Sequence, residues 1–178
     1  LSSSDPVLAQ ESASIFANED FYDLCTRGRM DLTFLGAAQI DGEGCANNSV
    51  IGAWDRPKVR LPGGGGGAVM LPTARRACTW RTEHSTRTLV KKLDFRTSWG
   101  GFHGVVTPIA VFVKRDGRLA LQSFHPASSL EEVQARTGFK FDTSTAHPTA
   151  GPTSREIQAL HALDPDGEFE RDARVQLR

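Results

Sequence analysis

Residues 34–68 read FLGAAQIDGEGCANNSVIGAWDRPKVRLPGGGGGA and end in five consecutive glycines at positions 63–67. Glycine loses more conformational entropy on folding than any other residue, so fixing such a run in one conformation is costly. A compact domain keeps the run where its backbone must come very close to another group. The glycines follow a strand-like segment and a cluster of amide and hydroxyl side chains, an order that predicts a binding loop.

The composition is that of an ordinary globular domain, and we expect one domain over residues 1–178 with a loose tail at 167–178. The sequence is 39% hydrophobic and 24% charged, which is typical of folded proteins. Basic and acidic residues number 21 each, so the charge balance favours neither nucleic acid nor an anionic membrane as a partner. No apolar run approaches the roughly 20 residues of a membrane-spanning helix.

The three cysteines, Cys25, Cys45 and Cys78, form no Cys-x-x-Cys pair. An odd number without that spacing indicates neither a disulfide framework nor a zinc site. We therefore expect small, buried apolar cysteines in a reducing cytoplasm. The isolated histidines show no metal-ligand spacing, so no metal is expected.

Apolar spacing and turn residues predict an α/β fold with a mixed sheet. The clearest feature is a hairpin, in which an Asp-Gly turn joins two apolar strands. Serine and threonine caps precede the two C-terminal helices. The predicted elements are a helix over 19–27, a buried strand over 30–35, a strand over 75–82, the hairpin strands 108–113 and 118–124, a helix over 130–138 and a helix from Thr153 to Asp164.

Taken together, the motifs in the first half of the chain resemble the β subunit of class I coenzyme A transferases, the glutaconate CoA-transferase type especially. The family combines a strand ending in G-G/A-x-Q-I/V-D with an N-x-S/T element, an I-G, a P-K-x-R and a G-x-G-G-A loop. The matching residues here are 36–41, 47–49, 51–52, 57–60 and 63–68. The resemblance extends to residues 92–98, 125–129, 137–139 and 163–165.

The resemblance implies an open α/β fold with a mainly parallel sheet flanked by helices. It also implies a hetero-oligomer with an α-type subunit, which moves CoA between an acyl-CoA and a carboxylic acid. The CoA thioester is then a substrate, and no permanently bound cofactor is expected. In the family a glutamate attacks the thioester and becomes a glutamyl-CoA, a ping-pong covalent mechanism.

This sequence lacks the short V/F-E-S/G-G motif that carries the family's glutamate. Glu11 and Glu43 have different surroundings. We therefore expect the nucleophile on an N-terminal part upstream of Leu1, or not at all, and the catalytic residue is unassigned. Two alternatives stay open: a hydrolase that opens steroid-derived rings of CoA thioesters on the same fold, and a non-catalytic acyl-CoA-binding subunit.

The glycine loop is the first candidate for substrate binding. Its N–H groups can form a concave nest for an anion or an oxyanion hole, although a flexible linker has the same composition. A P-loop is excluded, because Ala68 follows the glycines where Lys is required. A dinucleotide fingerprint matches formally, but Pro62 and Pro72 suit a strand–turn–helix poorly. The candidate loop residues are Gly63, Gly64, Gly65, Gly66, Gly67 and Ala68, with the oxyanion glycine ambiguous by one position.

The amide and hydroxyl cluster over residues 39–49 is the second candidate. Gln39 and Asn47 are assigned to CoA-thioester binding, and Asn47 matches the family's active-site asparagine by register. Turn chemistry is the structural alternative, since Asn and Ser favour loops. Asp41 is expected to hydrogen-bond the turn that follows it.

Charged residues outside these two groups are less specific. Lys58 and Arg60 could contact CoA phosphates or a partner subunit, or belong to a solvated face. The Glu83-His84 pair could serve as acid and base, but we expect it at the surface.

Overall fold

A computed structural model of the chain describes residues 6–167, so the tail beyond Gly167 lies outside the described residues. A short 3₁₀ turn at Pro6–Ala9 precedes the α-helices and strands. The helices are α1 (Asn18–Thr26), α2 (Gly67–Thr73), α3 (Leu130–Arg136) and α4 (Ser154–Leu163). The strands are β1 (Leu32–Gly36), β2 (Gln39–Ile40), β3 (Ala46–Asn47), β4 (Val50–Gly52), β5 (Pro57–Arg60), β6 (Arg76–Trp80), β7 (Phe102–Val106), β8 (Ala110–Arg115), β9 (Arg118–Phe124) and β10 (His147–Pro148).

Six strands form one mixed sheet in the order β1-β6-β7-β8-β9-β10. Strands β1, β6 and β7 run parallel, as do β9 and β10, whereas β8 pairs antiparallel with both β7 and β9. Two small antiparallel pairs, β2 with β3 and β4 with β5, lie between β1 and β6 in the chain. The predicted α/β architecture with a mixed sheet and flanking helices is confirmed.

The hairpin and the C-terminal helices fold as the sequence predicts. Asp116 and Gly117 have φ angles of 47° and 80°, and they join β8 to β9 by the tight turn that an Asp-Gly pair favours. The Ser129 hydroxyl accepts a hydrogen bond from a backbone N–H in the first turn of α3. Thr153 and Glu156 form a complete capping box at the start of α4, so local side-chain chemistry sets where both helices begin.

Strand β1 is not the buried strand that its apolar residues predict. It lies at an edge of the six-stranded sheet. Thr33 is buried on one face, whereas Leu32 and Phe34 on the other face are 39% and 64% exposed. Trp80 and Val106, which pair in register on that same open face, are also exposed. Large apolar residues occur on both faces, so the sequence pattern cannot distinguish the covered face from the open one.

The core packs against the opposite face of the sheet. Phe112 of β8 is completely buried, and its ring centroid lies 6.2 Å from that of Phe139 and 5.1 Å from that of Phe141, in edge-on contacts. Such edge-to-face pairs add to the stabilisation from burial alone. The buried core residues are Ala37, Ile40, Ala46, Leu71, Ala77, Leu89, Phe102, Val105, Ala110, Phe112, Leu119, Leu121, Val133 and Phe139.

All three cysteines are free thiols. Cys25 and Cys45 are buried, as the sequence predicts, whereas Cys78 is only partly buried. Desolvation by burial raises the pKa of Cys45 and of Cys78. A raised pKa keeps these side chains in the unreactive thiol form at neutral pH.

His84 lies in the core, and the prediction that it lies at the surface is wrong. The residue is 1% exposed, and its ring nitrogens lie 2.8 Å from Thr107 Oγ1 and 3.0 Å from Thr137 Oγ1. A hydroxyl can both donate and accept, so the two threonines satisfy a neutral imidazole completely. Burial, together with the nearby positive charge of Arg136, lowers the pKa of His84 to about 4.

This environment predicts an acid-dependent loss of stability. The pKa of His84 falls from 6.5 to about 4 on folding, so the unfolded chain binds the proton first as the pH drops. The free energy of unfolding should therefore fall from about pH 6.5 to pH 4, by up to about 3 kcal/mol from this group. The loss should level off below pH 4, where both states are protonated.

Urea unfolding at a series of pH values measures this effect. His84→Gln keeps one donor and one acceptor for the two threonines but does not titrate, so its stability should depend less on pH in that window. His161→Gln, on the exposed face of α4, is the matched control and should keep the original dependence. Identical pH profiles for His84→Gln and the unmodified chain would contradict the assignment.

Candidate active site

Parallel strands β1 and β6 end side by side, with Gly36 opposite Trp80 in register. In open α/β sheets, ligands bind at the carboxyl ends of such strands. A cavity of about 310 Å³ joins this edge to the glycine run. Its lining residues are Gly36, Ala37, Ala38, Asn48, Leu61, Pro62, Gly63 and Arg81.

A larger cavity of about 770 Å³ is lined by Lys91, Arg118 and residues of the segment from Gln134 to Phe141. None of the glycine-loop or asparagine residues lies in its wall. The smaller cavity combines several sequence motifs at the carboxyl ends of parallel strands. We therefore take it as the candidate site.

The conformation of the loop between β5 and α2 requires glycine. Gly63 and Gly65 have φ angles of 96° and 47°, a left-handed region that other residues rarely adopt. The Gly63 N–H donates to the backbone oxygen of Asn48 at 2.8 Å. Within residues 6–167, the N–H groups of residues 64–66 have no hydrogen-bond partner. Three free donors on one loop can bind an anion, or a carbonyl oxygen that gains negative charge.

The loop leads directly into α2, which corrects the expectation that Pro62 and Pro72 oppose a strand–turn–helix. Pro72 lies near the end of this seven-residue helix, so the missing proline N–H interrupts few hydrogen bonds. Ala68 belongs to the helix rather than to the loop. Strand β5 pairs antiparallel with β4 outside the main sheet, so the segment still lacks the parallel βαβ unit of a dinucleotide-binding site.

Asn48 fastens the loop to the end of β1. Its Nδ2 donates to the Gly36 oxygen at 3.0 Å, and its Oδ1 accepts from the Ala38 N–H at 2.9 Å. Its backbone N–H donates to Thr97 Oγ1 at 2.9 Å, while its backbone oxygen accepts from Gly63. Both the side chain and the backbone of Asn48 therefore position the cavity wall.

Asn47, which family register places at the site, is completely buried beneath this wall. Its Nδ2 donates to Gln39 Oε1 and to the Val50 oxygen, each at 2.7 Å, and its Oδ1 accepts from the Ser49 N–H at 3.0 Å. Gln39 is also buried, and its Nε2 donates to Asp94 Oδ2 at 3.0 Å. Because these amides are satisfied within the chain, their contact with a ligand stays a prediction. Their observed bonds support the turn around Asn48.

Other polar residues of the sequence analysis lie outside the cavity wall. Asp41 Oδ1 accepts from the backbone N–H groups of Glu43 and Cys45, each at 3.0 Å, which confirms its predicted role in the turn. Lys58 and Arg60 are exposed, and the Arg60 guanidinium lies 4.6 Å from the Trp54 ring centroid. The suggested contacts of these two cations with CoA phosphates stay predictions.

Arg81 lines the cavity, although the sequence does not identify it as a site residue. The predicted strand over 75–82 contains it, whereas β6 ends at Trp80. The residue that follows a strand at a binding edge is a candidate only when the neighbouring parallel strand is known. Here that neighbour is β1, whose pairing with β6 has no local sequence signature.

Residues 6–167 offer no sign of a metal centre or of a membrane span. No group of three or more His, Cys, Asp or Glu side chains in this part of the chain is placed to hold a metal ion. No helix in the same range has the length and apolar character needed to cross a membrane.

The loop geometry predicts unequal tolerance for alanine. A Cβ atom at Gly64 would lie 2.8 Å from Ala68 Cβ and 2.9 Å from Thr97 Cγ2, whereas a Cβ at Gly67 would meet no atom within 4 Å. Gly64→Ala should lower the free energy of unfolding by about 1–3 kcal/mol through overpacking. Gly67→Ala, at the first residue of α2, should keep stability or raise it by up to about 1 kcal/mol. Urea unfolding of both variants checks this, and equal effects would contradict the loop conformation.

Comparison with known proteins places these features in a family. A sequence model described as coenzyme A transferase matches residues 8–134. The chain is 32% identical to the B subunit of 3-oxoadipate CoA-transferase from Pseudomonas knackmussii, covering 92% of this chain and 70% of that protein. It is 30% identical to the B subunit of glutaconate CoA-transferase from Acidaminococcus fermentans, covering 78% of this chain and 59% of the relative.

Solved structures agree with the sequence comparisons. The crystal structure of glutaconate coenzyme A-transferase from Acidaminococcus fermentans superposes with a TM-score of 0.79 at 26% identity, covering 88% of this chain and 69% of the other. The decarboxylase AibA/AibB superposes with a TM-score of 0.83 at 29% identity, covering 90% and 68%. With a family match over more than half of its length, the chain belongs to the coenzyme A transferase family and is of the β-subunit type.

Proposed function

We propose that this chain is the β subunit of a hetero-oligomeric enzyme that moves CoA between an acyl-CoA and a carboxylic acid acceptor. The observation that supports this most is the glycine loop. Its first residue lines the cavity, and its next three N–H groups have no partner among the described residues. Free backbone donors of this kind suit a thioester carbonyl, whose oxygen becomes negatively charged during attack.

In the proposed reaction, a glutamate carboxylate attacks the thioester carbonyl carbon. The carbon–sulfur bond breaks, CoA leaves as a thiolate, and an acyl-glutamyl anhydride forms. The thiolate then attacks the glutamyl carbonyl and displaces the acyl group as a carboxylate, which leaves a glutamyl-CoA thioester. An acceptor carboxylate reverses both steps and departs as the new acyl-CoA, so each half-reaction balances without a redox partner.

The chain's own contribution to these steps is positioning and charge stabilisation. The N–H groups of residues 64–66 would hydrogen-bond the carbonyl oxygen as negative charge develops. Asn48 holds Gly63 against the end of β1, so the loop requires little reorganisation when substrate binds. The proposal needs a glutamate that these residues do not carry in the family motif. We place that residue on a part of the enzyme beyond them, with an α-type subunit as the partner.

Decarboxylation is the second candidate reaction. The similarity to the decarboxylase AibA/AibB, at 29% identity and a TM-score of 0.83, favours it over other departures from transfer. A hydrolase acting on ring-containing CoA thioesters and a non-catalytic acyl-CoA-binding subunit are further alternatives. All four functions involve a CoA thioester as substrate or ligand, and we place the protein in the cytoplasm, where such thioesters form.

The test uses the complete protein co-expressed with its α-type partner. A panel of acyl-CoAs is incubated with isotopically labelled acetate, and the CoA species and released carbon dioxide are recorded by mass spectrometry. Labelled acetyl-CoA supports transfer. Carbon dioxide without acetyl-CoA would replace transfer with decarboxylation, and water incorporation alone would indicate hydrolysis.

Within that assay, the loop assignment predicts a specific loss. A Cβ at Gly65 meets no atom within 4 Å, but the residue has a φ of 47°, so Gly65→Ala shifts the loop without filling the cavity. We expect turnover to fall at least about tenfold, since misplacing an oxyanion donor costs factors of this size or larger. Gly151→Ala, where a Cβ also meets open space, is the control and should keep full turnover. Unchanged turnover in Gly65→Ala would remove the loop from the mechanism.

A further inference from the structure

Arg81 is an unpaired charge at the wall of the candidate site. Its Nε lies buried without a hydrogen-bond partner, and it shares this property with only one other side-chain atom of the described residues, Thr79 Oγ1. Buried polar groups in native proteins are nearly always paired, so each exception needs an explanation. No ion pair within residues 6–167 involves Arg81.

The nearest acidic side chain does not neutralise this charge by direct contact. Glu83 is two residues away, and Arg81 acts on it only as a weak electrostatic influence. The Glu83 carboxylate instead accepts hydrogen bonds from Ser85 Oγ at 2.6 Å and from Arg87 Nη2 at 2.9 Å. These bonds lower the pKa of Glu83, and they leave the guanidinium of Arg81 available to a ligand.

The rest of the cavity wall is neutral and largely apolar. Ala37, Ala38, Leu61 and Pro62 supply aliphatic surface, and no acidic residue lines the cavity. A lone guanidinium in such a wall is suited to a carboxylate, because the planar fork can donate two parallel hydrogen bonds. Low polarity around the pair strengthens the attraction.

Arg81 and the glycine loop line the same cavity of about 310 Å³, at the small end of the range for ligand pockets. A short acyl chain could therefore place its thioester carbonyl at the loop and a second charged group at Arg81. The phosphates of CoA are a poorer match, because the pantetheine arm separates them from the thioester. This distance argument favours a charge on the acyl group itself.

We propose that Arg81 binds the free carboxylate of the acyl group and so selects monothioesters of dicarboxylic acids. This inference rests on the proposed function, because it takes the loop as the site of the thioester. The aliphatic wall formed by residues 37, 38, 61 and 62 would then contact the carbons between the two ends. Arg81 acts on specificity, and the proposed covalent steps do not require it.

The first experiment compares two CoA thioesters that differ in one group. Glutaryl-CoA carries a terminal carboxylate and pentanoyl-CoA carries a methyl group at the same position. In the complete enzyme with its partner, Arg81→Met should lower kcat/KM for glutaryl-CoA by about 10- to 100-fold, as expected for a charged hydrogen bond. The value for pentanoyl-CoA should change less than about threefold. Arg81→Lys should lie between, since it keeps the charge but loses the fork.

Arg76→Met is the matched control, because Arg76 lies on the same strand at its opposite end. It should leave both kcat/KM values unchanged. Equal losses for the two substrates in Arg81→Met would overturn the proposal and assign Arg81 to CoA binding or to the fold. Unchanged selectivity would also overturn it.

A second measurement does not depend on turnover. Glutarate binding to the complete protein is measured by isothermal titration, with pentanoate as the neutral-tail comparison. We expect Arg81→Met and Arg81→Gln to weaken glutarate binding by at least about tenfold while the melting temperature without ligand is retained. If the unmodified enzyme transfers no CoA but glutarate binding depends on Arg81, the proposed function fails and the carboxylate site stands. If CoA is transferred and glutarate binding ignores Arg81, the carboxylate site fails alone.

Discussion

The hydrogen bonds of Asn48 are the interaction on which the candidate site depends. One residue joins the end of β1, the strand-like segment at 37–38 and the start of the glycine loop. A five-glycine run has a large conformational entropy when it is free. Anchoring its first residue reduces the number of conformations available to the next three. The free N–H groups of residues 64–66 can therefore point in a defined direction although no side chain of the loop packs.

That anchor stands on a second layer of buried amides. Asn47 and Gln39 bond to each other at 2.7 Å, and Gln39 passes the network to Asp94, which also accepts from the Gly52 N–H at 3.0 Å. Burying polar groups is costly unless every donor and acceptor is paired, and pairing here is nearly complete. Two adjacent asparagines thus divide the work. Asn47 satisfies the interior, which leaves Asn48 to shape the cavity.

Sequence reasoning is sufficient where the structural signal is local. The Asp116-Gly117 turn and the caps at Ser129 and Thr153 are determined by neighbouring residues, and all are predicted correctly. Strand β7 is missed, because its Gly104 breaks the apolar pattern. A Cβ at that position would lie 2.5 Å from the Phe112 oxygen on the neighbouring strand, so a long-range contact decides the residue. The exposure of β1 likewise depends on what covers a sheet face, which no local pattern encodes.

The candidate site shows the same division. Family motifs identify the glycine loop and the asparagine pair, but the side of the chain on which each asparagine lies follows from pairing between β2 and β3. Arg81 has no motif at all. Natural sequences depart from local rules chiefly at functional sites. Two such departures, the left-handed glycines 63 and 65 and the unpaired buried Nε of Arg81, occur around one cavity. Either alone could be a structural accident, but a ligand with an electronegative oxygen at each end accounts for both.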